Sequence, residues 1–461
     1  MNFSDYKVWE PIIQVGLIMG LVLFANILRR KIKFIRNSLI PTSVIAGIII
    51  LLLRLNKDFS SILNKNLLEG ITYHFLALGF IAIALKVKAD KKLKDTVIVE
   101  TGAITVSTYL IQAIVGLIVT ILLAFTFNKG LLYASGLILP LGFGQGPGQA
   151  LNFGTIYENQ FNFVGGADFG LAIAGIGFLV ACLVGVLYLN ILRKKGKITV
   201  VDETEKYIDN YEVSATDEIP MTESIDKITI QIALILFSYF IAYLLIYGLS
   251  YLATTFLGNF GTNTVKPLLW GFNFVFGSVV AVIVGAVLRF LRRKEIMNRQ
   301  YPNNFLLNRL GGFLFDIMIV ASLGAIEIKM LESLILPIIL LTIVGTISTF
   351  VYLKIICPIV YPNYTYQGFF ALFGMLTGTA STGMILLREV DYNYESPMAT
   401  NLVLQNFPAI LFGFPLMLLL AFAPHGLMQS LITLGILTFM FIAFNFLILK
   451  LNKRREEVKS H

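Results

Sequence analysis

Leu411–Phe422 runs twelve residues without a polar side chain, and Ile111–Ile121 is interrupted only by Gln112 and Thr120. Runs of this kind recur along the whole chain. A soluble helix or strand mixes apolar with polar positions so that one face meets water; these stretches have no such face. The chain has 461 residues, 57% hydrophobic and only 14% charged, against about 25% charged in an average soluble domain. Its polar residues are too few to cover a water-facing globule. Backbone in hydrocarbon must satisfy its own hydrogen bonds, so the pattern calls for membrane helices. It excludes a soluble enzyme, a disordered chain and a nucleic-acid binder. The net charge of +9 has a membrane explanation, because the bases gather between the apolar runs. Cys182 and Cys357 sit in separate apolar runs, which excludes a disulfide framework and a zinc site.

About 20 apolar residues cross the hydrocarbon core. Eleven segments are read as spans: 11–28, 39–55, 71–87, 97–127, 167–192, 227–257, 267–291, 311–329, 332–353, 398–423 and 428–449. Two others, 130–157 and 366–390, are apolar at their edges but broken by Gly, Pro, Ser and Thr. The first span lacks a basic leader and a small-residue cleavage site, so it is not read as a signal peptide. Loop 29–38 carries Arg29, Arg30, Lys31, Lys33 and Arg36; loop 86–96 carries Lys86, Lys88, Lys91, Lys92 and Lys94. Arg193, Lys194, Lys195 and Lys197 follow a later span, and Lys450, Lys453, Arg454 and Arg455 form the tail. Excess base marks the cytoplasmic side, which puts the N-terminus outside and the C-terminus in the cytoplasm. The count closes only if 130–157 enters and leaves on one face.

The two halves share an order of elements, and their broken segments share a spacing: Gly130 and Gly136 flank one five-residue run, Gly368 and Gly374 another. The expected fold is an all-α polytopic membrane protein. It has two inverted-topology five-helix repeats, each with a re-entrant hairpin, plus one extra C-terminal helix. The divisions are 1–197, with hairpin 130–157; an acidic cytoplasmic linker, 198–226; 227–423, with hairpin 366–390; and 424–461. The linker holds nine acids and one base and is read as a solvated tether. Paired broken segments in matching places of two repeats point to a secondary transporter site. Interrupted helices free carbonyls for a cation and amides for an anion, and helix N-termini add partial positive charge.

The first break carries Gly144, Gln145, Gly146, Pro147, Gly148, Gln149 and Asn152. Its glycines permit positive φ and its proline ends a helix. Gln145, Gln149 and Asn152 follow an i, i+4, i+7 spacing that gives one helical face. A dinucleotide loop would need a preceding strand, and a packed glycine contact between helices is the plainer structural reading. The second break carries Thr377, Thr379, Ser381 and Thr382, hydroxyls suited to a sodium ion or a carboxylate, or to helix packing. Asn401 and Gln405 lie one turn apart, facing either the site or sister helices. The expected substrate-binding set is Gly144, Gln145, Gly146, Gly148, Gln149, Asn152, Thr379, Ser381, Thr382, Asn401 and Gln405. The expected ion-binding set is Asp316, Thr377, Ser381 and Asn401. Asp316 is the one acid well inside a span; it ligates sodium, carries a proton, or sits at a shallow solvated boundary. Arg388 either pairs a substrate carboxylate or anchors the end of the hairpin. Glu100, Asp168, Glu327, Glu389, His74 and His425 lie at span ends and are given no role. No nucleophile–base spacing and no metal-ligand cluster appears, so an enzyme is not expected.

Through PLGFGQGPGQALNFG (140–154), TGTASTGMILLREVD (377–391) and the duplicated plan, nearly the whole chain resembles the bacterial sodium:glutamate symporter family. The resemblance implies sodium-coupled uptake of glutamate, or of a related anionic amino acid, across the bacterial plasma membrane. Sodium is then the coupling ion, with no other cofactor. It also implies two opposed re-entrant loops and a homodimer moving as an elevator. Partners are the small anionic substrate, sodium and the lipid bilayer, with no nucleic acid. The alternatives are a proton-coupled carrier of another organic anion, with Asp316 as carrier, and an ion channel, whose filter also uses carbonyls and hydroxyls.

Overall fold

A computed structural model describes residues 3–86, 96–198, 221–297, 301–392 and 395–460. The basic loop at 87–95 and residues 199–220 of the acidic linker lie outside the described residues. All regular structure among the described residues is helical.

In chain order the first helices are α1 (Tyr6–Lys31), α2 (Lys33–Asn37), α3 (Thr42–Leu53), α4 (Lys57–Ile62), α5 (Lys65–Ala84) and α6 (Thr96–Thr126). A leading arm of short turns, Tyr133–Leu137, Ile138–Pro140 and Leu141–Gln145, precedes α7 (Pro147–Phe161) and α8 (Gly166–Lys194). There follow α9 (Met221–Phe260), α10 (Lys266–Gly271), α11 (Asn273–Arg293) and α12 (Asn304–Ala325). The last third holds α13 (Ile335–Val360), α14 (Thr365–Thr377), α15 (Ala380–Arg388), α16 (Met398–Leu404), α17 (Asn406–Phe422) and α18 (Leu427–Ser460). Ten helical runs among the described residues are long and apolar enough to cross a membrane, so the chain is a multi-pass membrane protein.

Two expected spans differ from the structure. Segment 39–55 is helical only over the 12 residues of α3, about 18 Å at 1.5 Å per residue and well short of a ~30 Å core. It starts after Pro41, and Arg54 ends it by turning its guanidinium to the Gly324 carbonyl at 2.5 Å. Segment 398–423 is two helices rather than one. Pro408 has no N–H to give the Leu404 carbonyl, and the helix is divided there into α16 and α17 on either side of Gln405.

The described chain forms two compact units, one of Met1–Glu69, Lys91–Thr199 and Ile319–His461, the other of Gly70–Asp90 and Val200–Met318. Neither unit is one half of the sequence. In the first, α6 runs alongside α18: Arg455 pairs with Glu100 near the start of α6 at 2.6 Å. The leading arm lies against the other end of α6, where Thr120 Oγ1 donates to the Tyr133 carbonyl at 2.7 Å. Gly116 and Gly136 bring the two backbones together there, and a Cβ on either would collide with the other's carbonyl oxygen. The second unit has its own small core of Ile81, Leu85, Ile235, Ala281 and Leu307. A polar seam also crosses it: Tyr73 Oη donates to the Trp270 carbonyl at 2.7 Å, and His74 meets the Tyr239 hydroxyl at 2.8 Å.

Candidate functional site

Two folded-back segments of the first unit approach along α6 from opposite ends. Both ends of the first lie beside Ala423–His425: Tyr133–Leu137 packs there, and Phe161 meets the His425 ring edge-on at 5.1 Å. Both ends of the second lie near the start of α6: Tyr361, just before α14, donates to Thr101 Oγ1 at 2.7 Å. Glu389, just after α15, pairs with Arg193 at 3.0 Å. A core of Leu353, Phe369, Phe370, Phe373, Leu386 and Leu402 holds the second segment.

The leading arm ends in a π-helical turn, Leu141–Gln145, a form common at functional sites. Gly146 then takes φ 93°, ψ 176° and hands the chain to Pro147 at the first position of α7. Only glycine adopts that backbone without strain. No side chain caps α7, so its first amides point at the break with no partner inside the helix. On the other side, α14 ends at Thr377, and Thr379 caps α15 by accepting the Thr382 amide at 3.5 Å. The two breaks meet: the Thr379 methyl lies 3.9 Å from where a Cβ on Gly146 would stand. The positive ends of α7 and α15 thus converge on one place.

The amides around this place are buried and incompletely bonded. Gln149 is 1% exposed, and neither its oxygen nor its nitrogen has a hydrogen-bond partner. Asn152 is buried one turn further along α7. Gln405 gives its nitrogen to Met375 Sδ at 3.3 Å and to Asn406 Oδ1 at 3.0 Å, and its oxygen is unpaired. Asn401, one turn back, keeps an unpaired nitrogen. A buried polar group left unpaired costs about 1–3 kcal/mol, and several together mark a place where something else completes the bonding.

Thr377 and Thr382 are buried, Thr379 and Gln145 are half-buried, and Ser381 is exposed beside them. Gly144 and Gly148 are buried in the first tip. The Thr377 hydroxyl donates back to the Phe373 carbonyl at 2.7 Å. Asp316 belongs to the second unit, and its surface is exposed. Arg388 is exposed at the far end of α15, over the Tyr392 ring at 4.9 Å, which fits an anchor. No Lys or Arg lies between Lys129 and Arg193, and Arg388 is the only one between Lys354 and Lys450. Residues 140–154 and 377–383 carry amides and hydroxyls and no Lys or Arg.

The acids at span ends belong to ion-pair groups. Asp168 is held by Lys65 at 2.7 Å and by the Glu327 amide at 2.7 Å, and Arg54 lies 3.9 Å from Glu327. Glu100 and Glu389 hold the opposite end through Arg455 and Arg193. Among the described residues no group of His, Cys, Asp and Glu is placed to hold a metal ion.

Sequence reasoning passed over two residues of α6. Tyr109 donates to the Gly144 carbonyl at 3.1 Å, and Gln112 donates to the Leu376 carbonyl at 2.9 Å. They stand three residues apart on one helix and touch one tip each. The signal was a lone amide inside the apolar run Ile111–Ile121.

The sequence model of the sodium/glutamate symporter family matches residues 11–381, the whole of the first tip and the second as far as Ser381. No curated protein matches the chain significantly.

Proposed function

The chain belongs to the sodium/glutamate symporter family, and from this premise we propose that it couples inward movement of sodium to uptake of glutamate or a related anionic amino acid. The observation that carries the proposal is the meeting of two helix N-termini beside the unpaired, buried Gln149. A substrate carboxylate there accepts from the first amides of α7, from the Thr379 and Ser381 hydroxyls and from the Gln149 amide. Gln145, Asn152 and Thr382 belong to the same two segments, and Asn401 in α16 and Gln405 just after it are further candidates. Sodium takes oxygens from the tips, with Thr377, Ser381 and Asn401 as candidates. Asp316 is a further candidate ion ligand, an exposed carboxylate on α12.

Approach of the two segments from opposite ends of α6 supports their reading as opposed re-entrant hairpins, each gating one face. In this account the hairpin-bearing unit carries the site across the bilayer in an elevator motion, in a homodimer. The chain lies in the bacterial plasma membrane with its N-terminus outside and its tail in the cytoplasm. Each net positive charge moved inward gains about 2.3 kcal/mol per 100 mV, roughly a 50-fold concentration ratio.

The test is uptake of labelled L-glutamate into proteoliposomes under an inward sodium gradient, with potassium or a proton gradient in its place. Accumulation with sodium alone, inhibited by unlabelled anionic amino acids, supports the reading. Accumulation driven equally by protons, or none under any gradient, contradicts it.

A further inference from the structure

We propose that Gln112 supplies a ligand oxygen to the coupling cation and, together with Tyr109, holds the two tips in register around it. The proposal rests on the reading that the tips hold substrate and ion.

Gln112 is fully buried on α6. Its Nε2 donates to the Leu376 carbonyl at 2.9 Å and to Thr349 Oγ1 at 2.8 Å. A carbonyl can only accept, so the nitrogen must face Leu376 and the orientation of the amide is fixed. The oxygen is thereby turned toward the first tip, 3.3 Å from where a Cβ on Gly144 would stand, and it has no hydrogen-bond partner. Tyr109, the neighbouring hydroxyl, is already committed to the Gly144 carbonyl.

Gln112 Oε1 is unpaired and faces the first tip, while the nitrogen of the same amide is bonded to the Leu376 carbonyl of the second. A buried acceptor with no donor is costly in hydrocarbon. A hard cation, which takes carbonyl and amide oxygens, satisfies it; a substrate carboxylate, itself an acceptor, does not. The same amide reaches the second tip through its nitrogen and faces the first through its oxygen. Loss of the ion would loosen both tips together, which is the linkage a coupled carrier needs.

The experiment is thermal unfolding of the purified full chain as sodium chloride replaces choline chloride at constant ionic strength. Wild type, Gln112→Leu and Gln112→Glu are compared. Wild type should gain stability saturably with sodium. Gln112→Leu should need about tenfold more sodium for half the effect, as expected for a lost ligand. Gln112→Glu keeps an oxygen, loses the donor, and should respond at or below the wild-type sodium concentration. Equal weakening in both variants would assign Gln112 a merely structural part and overturn the proposal. So would a wild-type response in Gln112→Leu, or no sodium-specific response in wild type. If Gln112→Leu does not fold, Gln112→Glu decides alone, a tenfold weakening being the contrary result. The titration does not depend on transport. A wild type that binds sodium through Gln112 but accumulates no glutamate would retain this ligand and remove the symport reading; sodium-driven uptake with an unshifted Gln112→Leu titration would do the reverse.

Discussion

Asp168 shows how a single side chain in this protein is tied to its surroundings. Its side chain is 1% exposed, and Lys65 and the Glu327 amide hold it. Removing one partner of a buried pair leaves an uncompensated charge and costs roughly 3–5 kcal/mol. Lys65→Ala should therefore lower the midpoint of thermal unfolding in detergent, and adding Asp168→Asn should restore much of the loss; equal midpoints for the single and double variants would contradict the pairing. Such roles were not legible in the sequence, which gave Asp168 and Glu327 no function because their partners lie far away along the chain. Gln149 was legible, since its spacing from Gln145 and its place after Pro147 mark a helix leaving a break. Gln112 was not, because a lone amide in an apolar run reads as a packing residue until its bond to the Leu376 carbonyl is seen.

At the level of elements, hydropathy located nearly every span but erred where the local backbone overrules it. Segment 39–55 is apolar enough to span, yet Pro41 and Arg54 cut its helix to 12 residues. Segment 398–423 reads as one helix, yet Pro408 divides it into α16 and α17, on either side of Gln405 and one turn after Asn401. The break in the backbone is thus part of how Asn401 and Gln405 are presented. Pro408→Ala restores the missing donor to Leu404 and should join the two helices. The expected result is full or raised stability with uptake reduced about tenfold through misplaced amides; unchanged uptake would show that the break has no part in the site. The helix breaks at Gly146 and Gly378 were readable because glycine, proline and hydroxyl residues punctuate membrane helices where something interrupts them.

At the level of the whole molecule, the sequence predicts a division into successive halves, while the compact units draw on separate stretches of chain. Packing joins the broken segments of both halves in one unit, and no local pattern carries that information. The proposed orientation rests on the basic residues themselves. Lys450 and Lys453 follow the last apolar stretch, and on the basic-side rule they face the cytoplasm. An amine-reactive reagent that cannot cross the bilayer should modify them only after cells are permeabilised; modification on intact cells would invert the topology. The central claim is that substrate passes between the two tips, and the most direct measurement is sodium-driven L-glutamate uptake by Gln149→Leu beside wild type. Leucine has nearly the volume of glutamine but no hydrogen-bonding atoms. The account predicts wild-type folding with uptake efficiency lowered at least about tenfold, the loss of one or more buried hydrogen bonds to substrate. Wild-type kinetics in Gln149→Leu would contradict it and place the path of the substrate elsewhere.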